Sequence, residues 1–76
     1  MANANQNSPH GTLDVNNLQN VVGPFGVKLR NGTVIASCLF KALSGDMTTT
    51  RYTVLDTADG SEKAFATAAI ELAWRV

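Results

Sequence analysis

The sequence has few of the residues that small proteins use to stabilise their folds. Its 76 residues contain one cysteine, Cys38, so no disulfide can form within the chain. The single histidine, His10, lies far from Cys38, and these two residues alone cannot form a structural zinc site. A chain this short buries only about 60% of its unfolded surface, so its own core supplies little stability. Assembly with other protein chains is the remaining common route to stability, and a marginally stable monomer is the alternative.

The sequence also lacks an excess of charge of either sign. Six Lys and Arg residues balance six Asp and Glu residues, so the net charge is zero. Proteins that bind nucleic acids usually carry a clustered basic surplus, because contacts with phosphate dominate their affinity. The basic residues here are scattered singly along the chain, which argues against a nucleic-acid partner. They are Lys28, Arg30, Lys41, Arg51, Lys63 and Arg75.

Long hydrophobic stretches are absent as well. The longest apolar run, residues 34–43, is interrupted by Ser37 and Lys41. It is shorter than the roughly 20 residues that a membrane-spanning helix needs. The N-terminus has neither the basic region nor the apolar region of a secretory signal peptide. We therefore expect no membrane partner, and a cytoplasmic or virion-associated location.

Side chains that could carry catalysis are few and isolated. His10 is the only general base that titrates near neutral pH, and it lies in a polar segment without a rigid scaffold. The apolar pattern places Cys38 on the inner side of a strand, where a cysteine behaves as a small hydrophobic residue. No base that would activate the thiol is identifiable, and no glycine-rich phosphate loop is present. We expect a protein that is not an enzyme and that holds no cofactor or metal ion.

The most informative stretch is residues 25–43, in which two alternating apolar runs flank Asn31-Gly32. Asn-Gly between such runs is the strongest short-range signal of a β-hairpin, because a type I′ turn needs two residues with positive φ. A slip of one residue would turn basic side chains toward apolar partners, so the turn and the pattern select the same register. With this two-residue loop, Leu29 pairs with Val34 and Phe25 pairs with Cys38.

Two segments leave a choice between strand and helix. Apolar residues between positions 35 and 43 also recur at helical spacing, but the β-branched start Thr33-Val34-Ile35 favours a strand. Residues 61–76 are rich in alanine, which favours a helix, whereas residues 70–76 alternate as a strand does. A strand puts Trp74 on the apolar face, and we favour that interpretation.

These signals together predict a mainly β fold, a small antiparallel meander built on the hairpin of residues 25–43. Residues 47–57 are rich in Thr, Tyr and Val and form the next strand, with Leu43 facing Met47 across a three-residue turn. Residues 61–76 extend the meander as a strand. As a helix packed on the sheet, the same segment would make the fold α+β.

The chain divides into a polar arm and one domain. Residues 1–11 are rich in Asn and carry no charged side chain apart from the mostly neutral His10, so they cannot bury enough apolar surface to fold alone. An arm of this kind becomes ordered when it lies against a neighbouring subunit. Residues 12–76 form a single small β-rich domain.

We expect a non-enzymatic structural or assembly protein that packs against other protein chains, either copies of itself or a larger assembly. Small virion components, such as capsid, decoration or tail proteins, share its small size and neutral charge. A sheet that is apolar on much of both faces needs another protein packed on it. The predicted interface residues are Ile35, Leu39 and Leu43 on the second face of the hairpin, together with Trp74.

Two other functions account for less of the sequence. A small inhibitor or adaptor would bind one host protein, for example by adding a strand to an exposed sheet edge. A small β domain that binds single-stranded nucleic acid would use Tyr52, Phe25 or Trp74 as stacking platforms. The scattered basic residues argue against this last function.

Overall fold

A computed structural model describes residues 11–46 and 49–76. The strands are β1 (Phe25–Leu29), β2 (Val34–Gly45), β3 (Thr50–Asp56), β4 (Glu62–Ala66) and β5 (Ile70–Arg75). One short 3₁₀ helix, Leu18–Asn20, precedes β1, and another, Thr67–Ala69, connects β4 to β5. The fold is mainly β, as the sequence predicts, and the segment 61–76 forms two strands joined by a 3₁₀ turn rather than a helix packed on the sheet. Within the two described ranges, no helix is long and apolar enough to span a membrane.

The sheet is antiparallel, and its strand order is β4-β3-β2-β1-β5. The strands β1 to β4 form the predicted meander, while β5 returns to the opposite edge and pairs with β1. Only Thr67–Ala69 connects β4 to β5, and this link spans at most about 15 Å at 3.8 Å between successive Cα atoms. Edge strands of a flat five-stranded sheet would lie roughly 19 Å apart. The sheet is therefore curled, and we call its concave side the inner face and its convex side the outer face.

The hydrophobic core lies between the inner face and the N-terminal segment 11–24. Leu18 of this segment is fully buried, and Leu13, Val15 and Val21 pack against the core. The segment begins beside β5, on the side that does not pair with β1, where Thr12 forms an isolated antiparallel bridge with Trp74. The core consists of Leu18, Phe25, Val27, Ile35, Cys38, Tyr52, Val54, Phe65, Ile70 and Ala73.

The hydroxyl of Tyr52 fastens the N-terminal segment to the sheet. It donates a hydrogen bond to the carbonyl of Val15 at 2.9 Å and accepts one from the N–H of Leu18 at 3.3 Å. Gln19 Oε1 lies 3.2 Å from the same oxygen. Desolvation raises the pKa of Tyr52, so the hydroxyl stays protonated and remains a donor. One buried polar group thus holds two backbone groups of a segment that has no strand ladder there.

The hairpin turn between β1 and β2 differs from the prediction. Gly32 has a positive φ of 96°, whereas Asn31 does not. The N–H of Gly32 donates to the carbonyl of Leu29 at 3.0 Å, and the N–H of Leu29 donates to the carbonyl of Thr33 at 2.8 Å. The two-residue type I′ turn is therefore wrong, because the loop holds three residues, with glycine last. Leu29 consequently faces Thr33 instead of Val34.

A β-bulge in β2 compensates for the longer turn. The register sets residues 36–37 opposite Gly26 alone. The predicted pair of Phe25 and Cys38 is therefore confirmed despite the different turn. Because the bulge resets the alternation, Ile35 and Cys38 both face the core, and Ile35 is 4% exposed. The prediction that Ile35 lies on the second face of the hairpin is wrong for this reason.

The pairing of β2 with β3 also differs from the prediction. Leu43 pairs with Tyr52, and its predicted partner Met47 lies outside the described residues. The strand β3 begins at Thr50, so the connection after β2 is longer than three residues. A second irregularity in β2 leaves Lys41 without a register partner.

We expect Tyr52→Phe to lower the free energy of unfolding by about 1–3 kcal/mol, because a buried N–H and a partly buried carbonyl lose their partner. Urea denaturation measures this change. Ser44→Ala removes a hydroxyl from an exposed position of β2 and should change stability by less than about 0.5 kcal/mol. Equal denaturation midpoints for Tyr52→Phe and the native chain would contradict the role assigned to this hydroxyl.

Candidate interaction surface

The outer face of the sheet carries an apolar patch. Side chains alternate between the two faces along a strand, so residues that flank core positions point outward. Leu72 of β5, Lys28 of β1 and Val34 of β2 lie in one row across the sheet. Val34 is 56% exposed and Leu72 is 41% exposed. We call the apolar residues of this face the outer patch: Val34, Leu39, Leu55, Leu72 and Trp74.

Trp74 is held in the outer patch by a glycine on the neighbouring strand. It pairs with Gly26 of β1, and a Cβ added to Gly26 would overlap the indole ring. Gly26 is buried although it faces outward, because the indole covers its backbone. A cross-strand aromatic over a strand glycine fixes the ring in place and shields the ladder beneath it. The tryptophan therefore presents a fixed, partly exposed ring at the surface.

Two of the four predicted interface residues belong to the outer patch. Leu39 is 37% exposed there, and Trp74 is partly buried. Leu43 is 49% exposed, but its pairing with Tyr52 places it on the side of the sheet that carries the core. Ile35 lies in the core itself. The four residues therefore do not form one surface.

Sequence reasoning missed Val34 and Leu72 as surface residues. The predicted turn paired Val34 with Leu29 on the apolar face, and the real turn moves it to the outer face beside Lys28. Leu72 follows a register shift in β5 that leaves Glu71 without a partner on β1. The missing signals are thus the irregularities of β2 and β5, which strict alternation does not reveal.

Ion pairs of balanced charge lie on the outer face, one of them formed by Lys28 between Leu72 and Val34. Lys28 Nζ lies 3.9 Å from Glu71 Oε2, and Lys41 Nζ lies 2.9 Å from Glu62 Oε2. Lys41 reaches Glu62 from β2 across β3 to β4. All four side chains are about half exposed, so each pair contributes little to stability. Neither pair adds a net charge to the outer face.

The edge strand β4 presents backbone groups that no described strand pairs. Asp56 donates its N–H to the carbonyl of Ser61 at 2.8 Å, and this bond marks a hydrogen-bonding position at the end of the β3–β4 ladder. Hydrogen-bonded pairs recur at every second residue of an antiparallel ladder. Lys63 and Phe65 therefore bond to β3. The N–H and carbonyl groups of the intervening residues, Glu62, Ala64 and Ala66, point away from it.

The loop between β3 and β4 is fixed by three charged side chains. Lys63 Nζ lies 2.7 Å from Asp56 Oδ2 and 3.1 Å from Asp59 Oδ2. Hydrogen bonds from the N–H and hydroxyl of Ser61, together with Lys63, lower the pKa of Asp59 to about 2. Lys63 and the N–H of Ala58 lower the pKa of Asp56, and both carboxylates raise the pKa of Lys63. The ammonium group occupies the space between the carboxylates and is drawn away from the strand edge.

The other residues singled out in the sequence are buried or lie outside the described ranges. The Cys38 thiol donates to the carbonyl of Phe25 at 3.3 Å, and desolvation raises the pKa of this thiol to about 11. Tyr52 is 1% exposed and Phe25 is fully buried, so the prediction of these two as stacking platforms is wrong. His10 lies outside the described residues. Within the described residues, no group of three His, Cys, Asp or Glu side chains is placed to hold a metal ion.

We expect acid to remove the stabilisation that the Asp59 carboxylate provides. Because folding lowers the pKa of Asp59 from 3.8 to about 2, this stabilisation is complete above the unfolded value and is lost as the pH falls through the folded value. The difference in urea midpoint between the native chain and Asp59→Asn should therefore disappear between pH 5 and pH 2. The exposed change Asn20→Ser provides a control without titration. A difference for Asp59→Asn that stays constant with pH would contradict the assignment.

We expect Gly26→Ala to displace the indole of Trp74 and to cost about 1–3 kcal/mol, because the added methyl group overlaps the ring. Fluorescence of the single tryptophan reports the displacement as a red shift of the emission. Ala42→Ser changes an exposed residue of β2 away from Trp74 and should leave the emission unchanged. An unchanged emission maximum in Gly26→Ala would show that the indole does not lie over the glycine.

Comparisons of this chain with protein family models, with curated proteins and with solved structures found no match.

Proposed function

We propose that this chain is a non-enzymatic structural or assembly protein that packs against other protein chains through the outer patch. Small virion components, such as capsid, decoration or tail proteins, are the type of protein that fits this proposal. The observation that carries it is the exposure of Val34, Leu72 and Leu39 on one face, next to a fixed tryptophan.

The arrangement of the patch supports a protein partner. Exposed apolar residues gathered on one face are typical of interaction sites, and aromatic residues are enriched in protein interfaces. Trp74 is already held over Gly26, so it loses little conformational freedom on binding. The ion pairs of the outer face carry both signs of charge, which avoids repulsion between copies of the same chain.

The size of the core supports the same proposal. The described core consists of ten residues of one curled sheet and the segment packed against it. Single cores in chains of this length rarely provide more than about 3–5 kcal/mol. Burial of the outer patch against another chain would add to this stability.

A small inhibitor or adaptor is a second candidate function, and the open edge of β4 favours it. An extended segment of another protein adds to such an edge through main-chain hydrogen bonds. The two candidates differ in oligomeric state, because an inhibitor stays monomeric until it meets its one partner.

We expect Val34→Lys to weaken self-association by at least about tenfold without unfolding the domain, because a charge would enter the contact. Sedimentation velocity over a range of concentrations measures the association, and circular dichroism measures the fold. Val22→Lys is the matched control, because Val22 is 90% exposed and lies in the loop before β1, outside the patch. A native chain that stays monomeric at all concentrations, or equal association of the two variants, would contradict the proposal.

A further inference from the structure

We infer that the open edge of β4 pairs with the same edge of a second copy, antiparallel about a two-fold axis at Ala64, so that the two sheets become continuous. This inference rests on the proposed assembly function and names a second copy as the partner and β4 as the contact. The backbone groups, the small side chains and the charges along this edge indicate a second copy as the partner.

The backbone groups at the edge match their own two-fold copy. The N–H and carbonyl of Ala64 lie in the plane of the sheet and point away from β3. Ala64 of one copy therefore forms a hydrogen-bonded pair with Ala64 of the other. Glu62 then pairs with Ala66 of the second copy, and Ala66 with its Glu62. Because the carbonyl of Ala66 accepts the first hydrogen bond of the 3₁₀ helix Thr67–Ala69, about four backbone hydrogen bonds form in this single register.

The side chains at this edge do not obstruct an incoming strand. Ala64 and Ala66 project from the outer face and are small. Charged residues usually protect an exposed edge, but here both are engaged elsewhere. Glu62 is bound to Lys41, and Lys63 is bound to Asp56 and Asp59 of the loop. Neither charged side chain of this edge is therefore left unpaired in the single chain.

Charge complementarity selects a second copy as the partner. Arg51 of β3 is exposed, pairs with Ala66, and takes part in no ion pair among the described residues. In the two-fold register, Glu62 of the second copy lies on the other side of Ala66. The row then reads Arg51, Ala66 and Glu62 of the second copy, so Arg51 reaches over the small alanine to the carboxylate of Glu62, which Lys41 of the second copy approaches from the opposite side. The two-fold axis forms this contact twice.

The chain itself shows that side chains make a contact over this distance. Lys41 and Glu62 belong to β2 and β4, with β3 between them, and they form an ion pair at 2.9 Å. Arg51 and Glu62 of one chain do not meet, because Glu62 lies four residues from the partner of Arg51 along β4, roughly 13 Å away. An interaction between these two residues therefore reports contact between copies.

Pairing of the edges places the outer faces of both copies on the same side. Side chains of directly paired residues in antiparallel strands point to the same face. The two outer patches therefore open in the same direction and form a larger apolar surface. The β4 contact and the outer patch are separate surfaces, so one can fail without the other.

Charge reversal tests the inference on the full chain by sedimentation. Arg51→Glu and Glu62→Arg should each weaken the dimer by at least about tenfold, because like charges then face each other across the axis. A mixture of the two variants should form a heterodimer of native affinity, since each chain supplies the opposite charges. Asn20→Arg, which adds a charge at an exposed position away from both β4 and the outer patch, should leave the dimer intact.

Blocking the backbone of β4 provides an independent test. Ala64→Pro removes an N–H that points away from β3, which an edge strand tolerates, and should weaken the dimer by at least about tenfold. Ala64→Ser keeps the N–H and should bind as the native chain does. Circular dichroism verifies that both variants are folded, and Glu62→Arg continues to test the contact if Ala64→Pro does not fold.

Failure of this inference is distinguishable from failure of the proposed function. Association that survives Ala64→Pro and both charge reversals but is lost in Val34→Lys would overturn the β4 contact and leave the outer patch as the interface. A native monomer at every concentration would overturn both. No heterodimer in the mixture, with a native dimer present, would overturn the two-fold register.

Discussion

The short connection Thr67–Ala69 is the constraint on which the rest of the structure depends. It joins the two edge strands of the sheet, and three residues are too few to cross a flat sheet of this width. The sheet must curl, and the curl creates both an enclosed inner face and a convex outer face. Backbone bonds secure this corner, because the N–H of Arg30 donates to the carbonyl of Ala69 at 2.8 Å and its side chain donates to the carbonyl of Ala68 at 3.0 Å. The turn of the first hairpin is thus tied to the link between the last two strands.

The curl leaves an opening that the N-terminal segment fills. Leu18 is buried within the core, and the Tyr52 hydroxyl satisfies the N–H of Leu18 and the carbonyl of Val15. The same curl exposes the outer patch, because no described segment crosses the convex side. Core formation and surface presentation therefore follow from one geometric requirement. A small chain achieves an enclosed core in this way without a disulfide.

The sequence predicts the class of fold because its turns and alternation are local signals. Asn31-Gly32, the β-branched run that follows it and residues 70–76 all formed the expected hairpin or strand. Which side chains face the core was not predictable, since each irregularity of a strand shifts the alternation by one residue. Ile35 entered the core and Val34 left it because a three-residue turn and a bulge replaced a two-residue turn. The place of β5 beside β1 depends on long-range pairing, and nothing local in its sequence specifies that partner.

The candidate surface was predictable only in part for the same reason. Leu39 and Trp74 lie on the outer face. The position of the Trp74 ring over Gly26, however, depends on the register between β1 and β5, which is a long-range pairing. The turn and the bulge of the first hairpin also have an evolutionary consequence. The extra loop residue and the extra residue at positions 36–37 compensate each other. Loss of only one of these two residues would turn the core-facing side chains of part of β2 to the outer face. Insertions and deletions in related chains should therefore occur at both places together.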